Sequence, residues 1–103
     1  MFGDMFGQME EQQKALREKL ATISVDAEAG DGAIKVIANA TREITNIKID
    51  PSIIDPEDPE QLEDLLLVAI NRALEKAATR EAVESQKLIS DMLPPGMDGL
   101  FGS

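Results

Sequence analysis

The sequence predicts an α+β fold: an N-terminal helix, a three-stranded antiparallel β-meander and a long C-terminal helical segment. Apolar residues recur every seven positions near the start, an alternation of period two runs from Thr22 to Asp50, and neither Gly nor Pro interrupts Glu60 to Leu93. With 103 residues, 43% hydrophobic and 29% charged, the chain fits one domain spanning 1–103, with 1–4 and 94–103 expected as flexible ends. Three Phe and many Ala make a thin core, so association between subunits would help stability.

The first helix is expected from Met5 to about Leu20. Phe2, Met9, Leu16 and Ile23 mark its apolar stripe, with Met5, Phe6 and Leu20 beside it. Such a stripe reads as core or as a dimer seam rather than an adaptable binding surface. In "TISVDAEA" (22–29), Ile23, Val25, Ala27 and Ala29 point one way while Thr22, Ser24, Asp26 and Glu28 point the other, which describes a half-buried strand. Gly30 to Gly32 turns the chain into "AIKVIANA" (33–40), with Ile34, Val36, Ala38 and Ala40 on one face. Because that glycine pair sits between strands and not before a helix, it reads as a hairpin and not as a phosphate loop. The third strand, "ITNIKID" (44–50), is expected to place Thr45, Ile47 and Ile49 together.

Three Asp-Pro pairs at Asp50-Pro51, Asp55-Pro56 and Asp58-Pro59 close the sheet region, since proline donates nothing to a ladder and disfavours helix before it. Asp58 then suits an N-cap, Pro59 the first helical position and Gln61 a capping box, while Glu60, Glu63 and Asp64 meet the positive end of the helix dipole. Helix-start chemistry therefore accounts for the acids between Asp55 and Asp64, and no metal is assigned. A continuous helix from Glu60 to the stop at "LPPG" (93–96) would be roughly 50 Å long. A globule of this length has a radius of gyration of about 13 Å, so Val83, Leu88, Ile89 and Met92 would project bare unless a second subunit covered them. A break near Ala78-Thr79 would let the distal part fold back.

Missing residue types narrow the chemistry. With no Cys and no His there is no disulfide, thiolate nucleophile or Cys-based zinc site, and the usual general base is lacking. Asp26 and Glu28 share a strand face but read as wet surface, so neither an enzyme nor a cofactor is expected. The run "LLLVAI" (65–70) is too short to span a bilayer, and "MFGDMFGQMEE" lacks a basic n-region, so the expectation is a soluble, cytoplasmic chain.

Wound on a helix, Arg72, Lys76, Arg80 and Lys87 fall within an arc of about 80°, with Glu84 at its edge. The arc can neutralise phosphates, or it can be a solvated face snorkelling along the core edge, and composition alone favours the latter. A formal net charge of -10 repels polyanions at long range, though screening leaves a local stripe effective at contact. Lys14 and Arg17 make a second patch, diluted by Glu11 and Glu18.

"MFG", "GAIKV", "IKIDPSII", "LEDLLLVAINRAL" and "LPPGM", in that order and spacing, resemble the YbaB/EbfC family of bacterial nucleoid-associated proteins. "IDPS" (49–52), "EDL" (63–65) with Asn71, and "LPPG" carry most of the match. The resemblance implies an intertwined, tweezer-shaped homodimer that binds double-stranded DNA without catalysis and serves chromosome organisation or gene expression in the nucleoid. It also implies that helix-borne basic residues grip DNA. On this chain those are Arg72, Lys76, Arg80 and Lys87, with Lys14, Arg17 and Lys19 as lesser candidates. Many relatives have Asn-Gly where this chain has Asn39-Ala40. The leading expectation is weak, salt-sensitive phosphate binding with low sequence selectivity. The alternative is an acidic protein-interaction module using "MFGDMFG" and "GLFGS", without appreciable DNA binding.

Overall fold

The computed structural model describes the backbone of residues 2–92 and the side chains of residues 6–91. Helix α1 (Phe2–Ala21) leads into strands β1 (Ser24–Ala29), β2 (Ile34–Asn39) and β3 (Ile44–Ile49); after a single 3-10 turn (Pro51–Ile53), helix α2 (Pro59–Met92) ends the fold. The strands form one antiparallel sheet in the order β1-β2-β3, which leaves β1 and β3 as edges. Helix α1 starts three residues ahead of Met5, so the segment 2–4, expected to be a loose end, is helical. Of the other end, residues 93–103 lie outside the described residues, including "GLFGS".

Helix α2 is continuous for 34 residues, with no break at Ala78-Thr79. Its Ala69, Ala73 and Ala77 recur every four residues and are fully buried against Ala27, Ala29, Val36 and Ala38 of the sheet. Alanine on alanine brings helix and sheet close but removes little apolar area from water. The largest fully buried side chains are Ile34 and Val36, and burying one such aliphatic side chain contributes about 1.5–3 kcal/mol.

The β1–β2 hairpin turns at Gly30, Asp31 and Gly32, all with positive φ (64°, 57° and 87°). A Cβ at Gly30 would also meet Leu65 Cδ1 of α2 at 3.2 Å. The β2–β3 connection is built differently. Asn39, buried at 5%, accepts at Oδ1 from Thr41 N (3.0 Å), Thr41 Oγ1 (2.5 Å) and Glu43 N (3.2 Å). The left-handed residue here is Arg42 (φ 68°), so Ala40 occupies an ordinary conformation and needs no glycine.

Strand β3 departs from the expected alternation. Ile37 pairs with Asn46 while Ala38 pairs with Ile44, so Thr45 is the extra residue of a β-bulge. The bulge turns Ile44 toward the core, while Ile47 is 42% exposed. Thr45, expected on that face, is exposed and donates from Oγ1 to Ile37 O at 3.2 Å.

The connection into α2 also differs in detail. Asp50 caps the 3-10 turn by accepting from Ser52 N at 2.9 Å, and Asp55 Oδ1 accepts from Glu57 N at 2.9 Å. Helix α2 begins at Pro59 as expected, but no hydrogen bond of an Asp58–Gln61 capping box occurs among the described residues.

The fold is elongated, with a radius of gyration of 19.1 Å and extents of 64 × 33 × 17 Å. Helix α1 is anchored at its C-terminal end, where Leu20 is buried and accepts at its carbonyl from Ala40 N at 3.1 Å. Farther up, Phe6 and Met9 are 63% and 54% exposed, so within one chain this stripe is not core. Val83 and Ile89 on distal α2 are bare as expected, and Leu88 is half-buried. Met92 is outside the described side chains. Among the described residues no helix is long and apolar enough to cross a membrane.

Candidate nucleic-acid interface

Helix α2 runs antiparallel to the edge strand β1, and its cations meet the strand in two ways. Arg72 Nη1 donates to Glu28 O at 2.9 Å, and Lys76 Nζ donates to Asp26 O at 2.7 Å. Four residues of helix rise about 6 Å and two residues of strand about 6.7 Å, so side chains spaced i, i+4 reach carbonyls spaced i, i+2. These two residues thus satisfy two carbonyls on the open side of β1. Because a carbonyl carries no formal charge, both retain their full positive charge.

Beyond the end of β1 the pattern changes. Arg80 Nε lies 3.2 Å and Lys87 Nζ 3.4 Å from Glu84 Oε1, while Lys19 Nζ, from α1, lies 3.0 Å from Glu84 Oε2. The Glu84 side chain is 3% exposed, whereas those of Lys19, Arg80 and Lys87 are 61%, 48% and 61% exposed. The hydrogen bond from Lys19 holds the Glu84 carboxyl below the usual carboxylate range; burial opposes the shift and Lys87 reinforces it. The cluster carries three positive charges over one negative, and the negative one lies underneath.

An open groove of about 620 Å³ separates the edge of β1 from α2, lined by Val25, Ala27, Arg72, Lys76, Arg80 and Val83, together with Glu28, Glu75 and Thr79. Of the seven sequence candidates, Arg72, Lys76 and Arg80 line this groove, and Lys87 joins Arg80 through Glu84. Lys14 and Arg17 do not join them. Arg17 borders a different groove with Leu16, Leu20, Arg42 and Glu81, where Arg42 pairs with Glu81 at 3.6 Å, and Lys14 is exposed farther up α1. Lys19, the third of the lesser candidates, is the α1 cation that reaches the α2 set.

Sequence spacing carried part of this. Arg80, Glu84 and Lys87 stand at i, i+4 and i+7, which places the carboxylate between the two cations on one helix face. The Lys19 contact and the two strand carbonyls had no local signal, since each joins elements far apart in the chain. Elsewhere Lys35 pairs with Glu28 across β1 and β2 at 3.4 Å and stands opposite Lys48 of β3 on the outer face of the sheet. Among the described residues, no group of three or more acidic side chains is placed to hold a metal ion.

Comparison with known proteins places this geometry in context. The profile of the YbaB/EbfC DNA-binding family matches residues 1–92. A nucleoid-associated protein of Moorella thermoacetica is 44% identical over 81 residues, covering 79% of this chain and 78% of the relative. Another from Pelotomaculum thermopropionicum is 40% identical over 103 residues, covering 94% and 98%. A third, from Chloroflexus aurantiacus, is 43% identical over 100 residues, covering 94% and 92%. Among solved structures, the uncharacterized protein HP0035 of Helicobacter pylori shares the fold at a TM-score of 0.72 and 22% identity, over 85% of this chain and 92% of that one.

Proposed function

Because the chain belongs to the YbaB/EbfC DNA-binding family, we propose that it grips the phosphate backbone of duplex DNA through the basic side of α2, as a homodimer. Arg72, Lys76, Arg80 and Lys87 are the contacts, with Lys14 and Arg17 outlying. The observation that carries this reading is the burial of Glu84 beneath Arg80 and Lys87: the pairing carboxylate is hidden and the cationic heads are outermost. Arg72 and Lys76 extend the same side with undiminished charge, held by main-chain carbonyls.

Binding of this kind reads charge and not base edges, so it is weak, tolerant of sequence and sensitive to salt. The net charge of -10 adds to the weakness, and the reading contains no catalytic step. The nucleoid-associated relatives support a place in the nucleoid, and hence in the bacterial cytoplasm, with a role in chromosome organisation or expression. The bare Phe6, Met9, Val83 and Ile89 support a second copy as the cover for α1 and distal α2.

Fluorescence anisotropy of labelled duplex DNA over a salt series tests the proposal, comparing the wild type with a variant carrying Arg72→Glu, Arg80→Glu and Lys87→Glu. The wild type is expected to bind more tightly as salt falls, and the variant to lose binding. An absence of wild-type binding even at low salt would instead favour the acidic protein-interaction module. Ile54 and Leu67, 51% and 61% exposed near the acid-rich start of α2, would add to such a module's surface, whose expected segment "GLFGS" lies outside the described residues.

A further inference from the structure

Glu84 gathers cations from two helices that otherwise touch little. Its Oε2 accepts from Lys19 of α1, and its Oε1 accepts from Arg80 and Lys87 of α2. A lysine ammonium has three donor hydrogens and a guanidinium five, so after one bond each to Glu84 most of these donors remain for another acceptor. The carboxylate occupies the inner side of the cluster, and the heads of all three cations reach solvent. Without an anion beneath them, three like charges at this spacing would repel one another and their long side chains would sample many rotamers. With it, they are held together while the surface stays net positive.

We infer that Lys19, Arg80 and Lys87 form a single subsite for one DNA backbone phosphate, bridging α1 and α2, with Glu84 as its positioning residue. This rests on the reading of α2 as the DNA-contacting side and deepens it in two respects. It makes Lys19 a phosphate ligand in preference to Lys14 and Arg17, and it gives an acidic residue a favourable part in binding a polyanion. Simple charge counting says the opposite of Glu84, because any carboxylate near DNA should repel it.

A double-mutant cycle read by duplex-DNA anisotropy over a salt series separates these views, using Lys19→Gln, Lys87→Gln, Glu84→Asp and the pair Lys19→Gln/Glu84→Asp. Lys19→Gln is expected to weaken binding about two- to tenfold and to flatten the slope of log affinity against log salt by about one unit. Glu84→Asp keeps the charge but draws the anchor back by one methylene. It is expected to weaken binding at unchanged net charge, and in its background Lys19→Gln is expected to cost nothing more. A merely structural Glu84 would lower thermal stability without cancelling the Lys19 effect on the salt slope.

Lys19→Gln leaving affinity and slope unchanged, while Lys87→Gln lowers both, would overturn the subsite and leave the α2 reading standing. Independent, multiplying losses from Lys19→Gln and Glu84→Asp would overturn the positioning role. No effect from either lysine on an otherwise binding protein would overturn the inference together with the α2 reading. Should Glu84→Asp fail to fold, the Lys19→Gln/Lys87→Gln pair decides: cations sharing one phosphate give a combined loss smaller than the product of the single losses, and a full product sinks the proposal.

Discussion

Glu84 stays ionised because Lys19 donates to it and Lys87 adds its charge, which outweigh the burial that disfavours a carboxylate. Its folded-state pKa is lowered, so the unfolded chain takes up the proton first as the solution is acidified. The stability this group contributes is therefore complete above the usual carboxylate range and is lost as pH falls through the lowered folded value. Urea unfolding followed from neutral pH through the carboxylate range is expected to decline more steeply on the acid side for wild type than for Glu84→Gln. Ala40 offers a second case at this scale. The left-handed residue of its turn is Arg42, so glycine brings no conformational relief at 40, and Ala40→Gly is expected to lower unfolding free energy by about 0.4–1 kcal/mol in the same assay, apart from the buried methyl it removes.

Among the elements, the closeness of α2 to the sheet depends on its alanine stripe. Ala73 is fully buried between its neighbours Ala69 and Ala77, so Ala73→Leu forces three extra carbons into a filled contact. The expected destabilisation is about 1–3 kcal/mol, measured by chemical denaturation. The three strands, the Gly30–Gly32 hairpin and the extent of the C-terminal helical segment were legible in the sequence, because each is written in local periodicity and in Gly or Pro punctuation, whereas spacing alone left the continuity of that segment through Ala78-Thr79 open. The bulge at Thr45 was not legible, since it depends on how Ile44 is brought against the core across β2. Arg72, Lys76, Arg80 and Lys87 could be set on one arc from spacing alone. That two of them bind carbonyls of β1 and two bind Glu84 required the folded arrangement of α2, β1 and α1. The fate of the α1 stripe was open for a similar reason: periodicity shows that Phe6 and Met9 share a face but not whether the covering surface is within the same chain.

The molecule as a whole is too long for its chain length. A radius of gyration of 19.1 Å compares with about 13 Å for a globule of this size, and the excess lies where α1 and α2 carry exposed apolar side chains. Sedimentation velocity is expected to give a dimer for wild type. Phe6→Asp, which sets a charge where that cover would lie, is expected to shift the population toward monomer without loss of helix by circular dichroism. A compact monomeric wild type would remove this reading.

Acids from Asp55 to Asp64 crowd the start of α2, and the cationic heads of Arg80 and Lys87 lie at least sixteen residues beyond, roughly 24 Å along a rigid rod. In physiological electrolyte, fields fade over about 8 Å, and a bound polyanion senses the nearby cationic heads alone; near 0.01 M they persist over about 30 Å and the acid-rich start becomes audible. Dilution should therefore strengthen attachment only to a point, after which the double-logarithmic plot bends over, a curvature that a uniformly basic protein would lack.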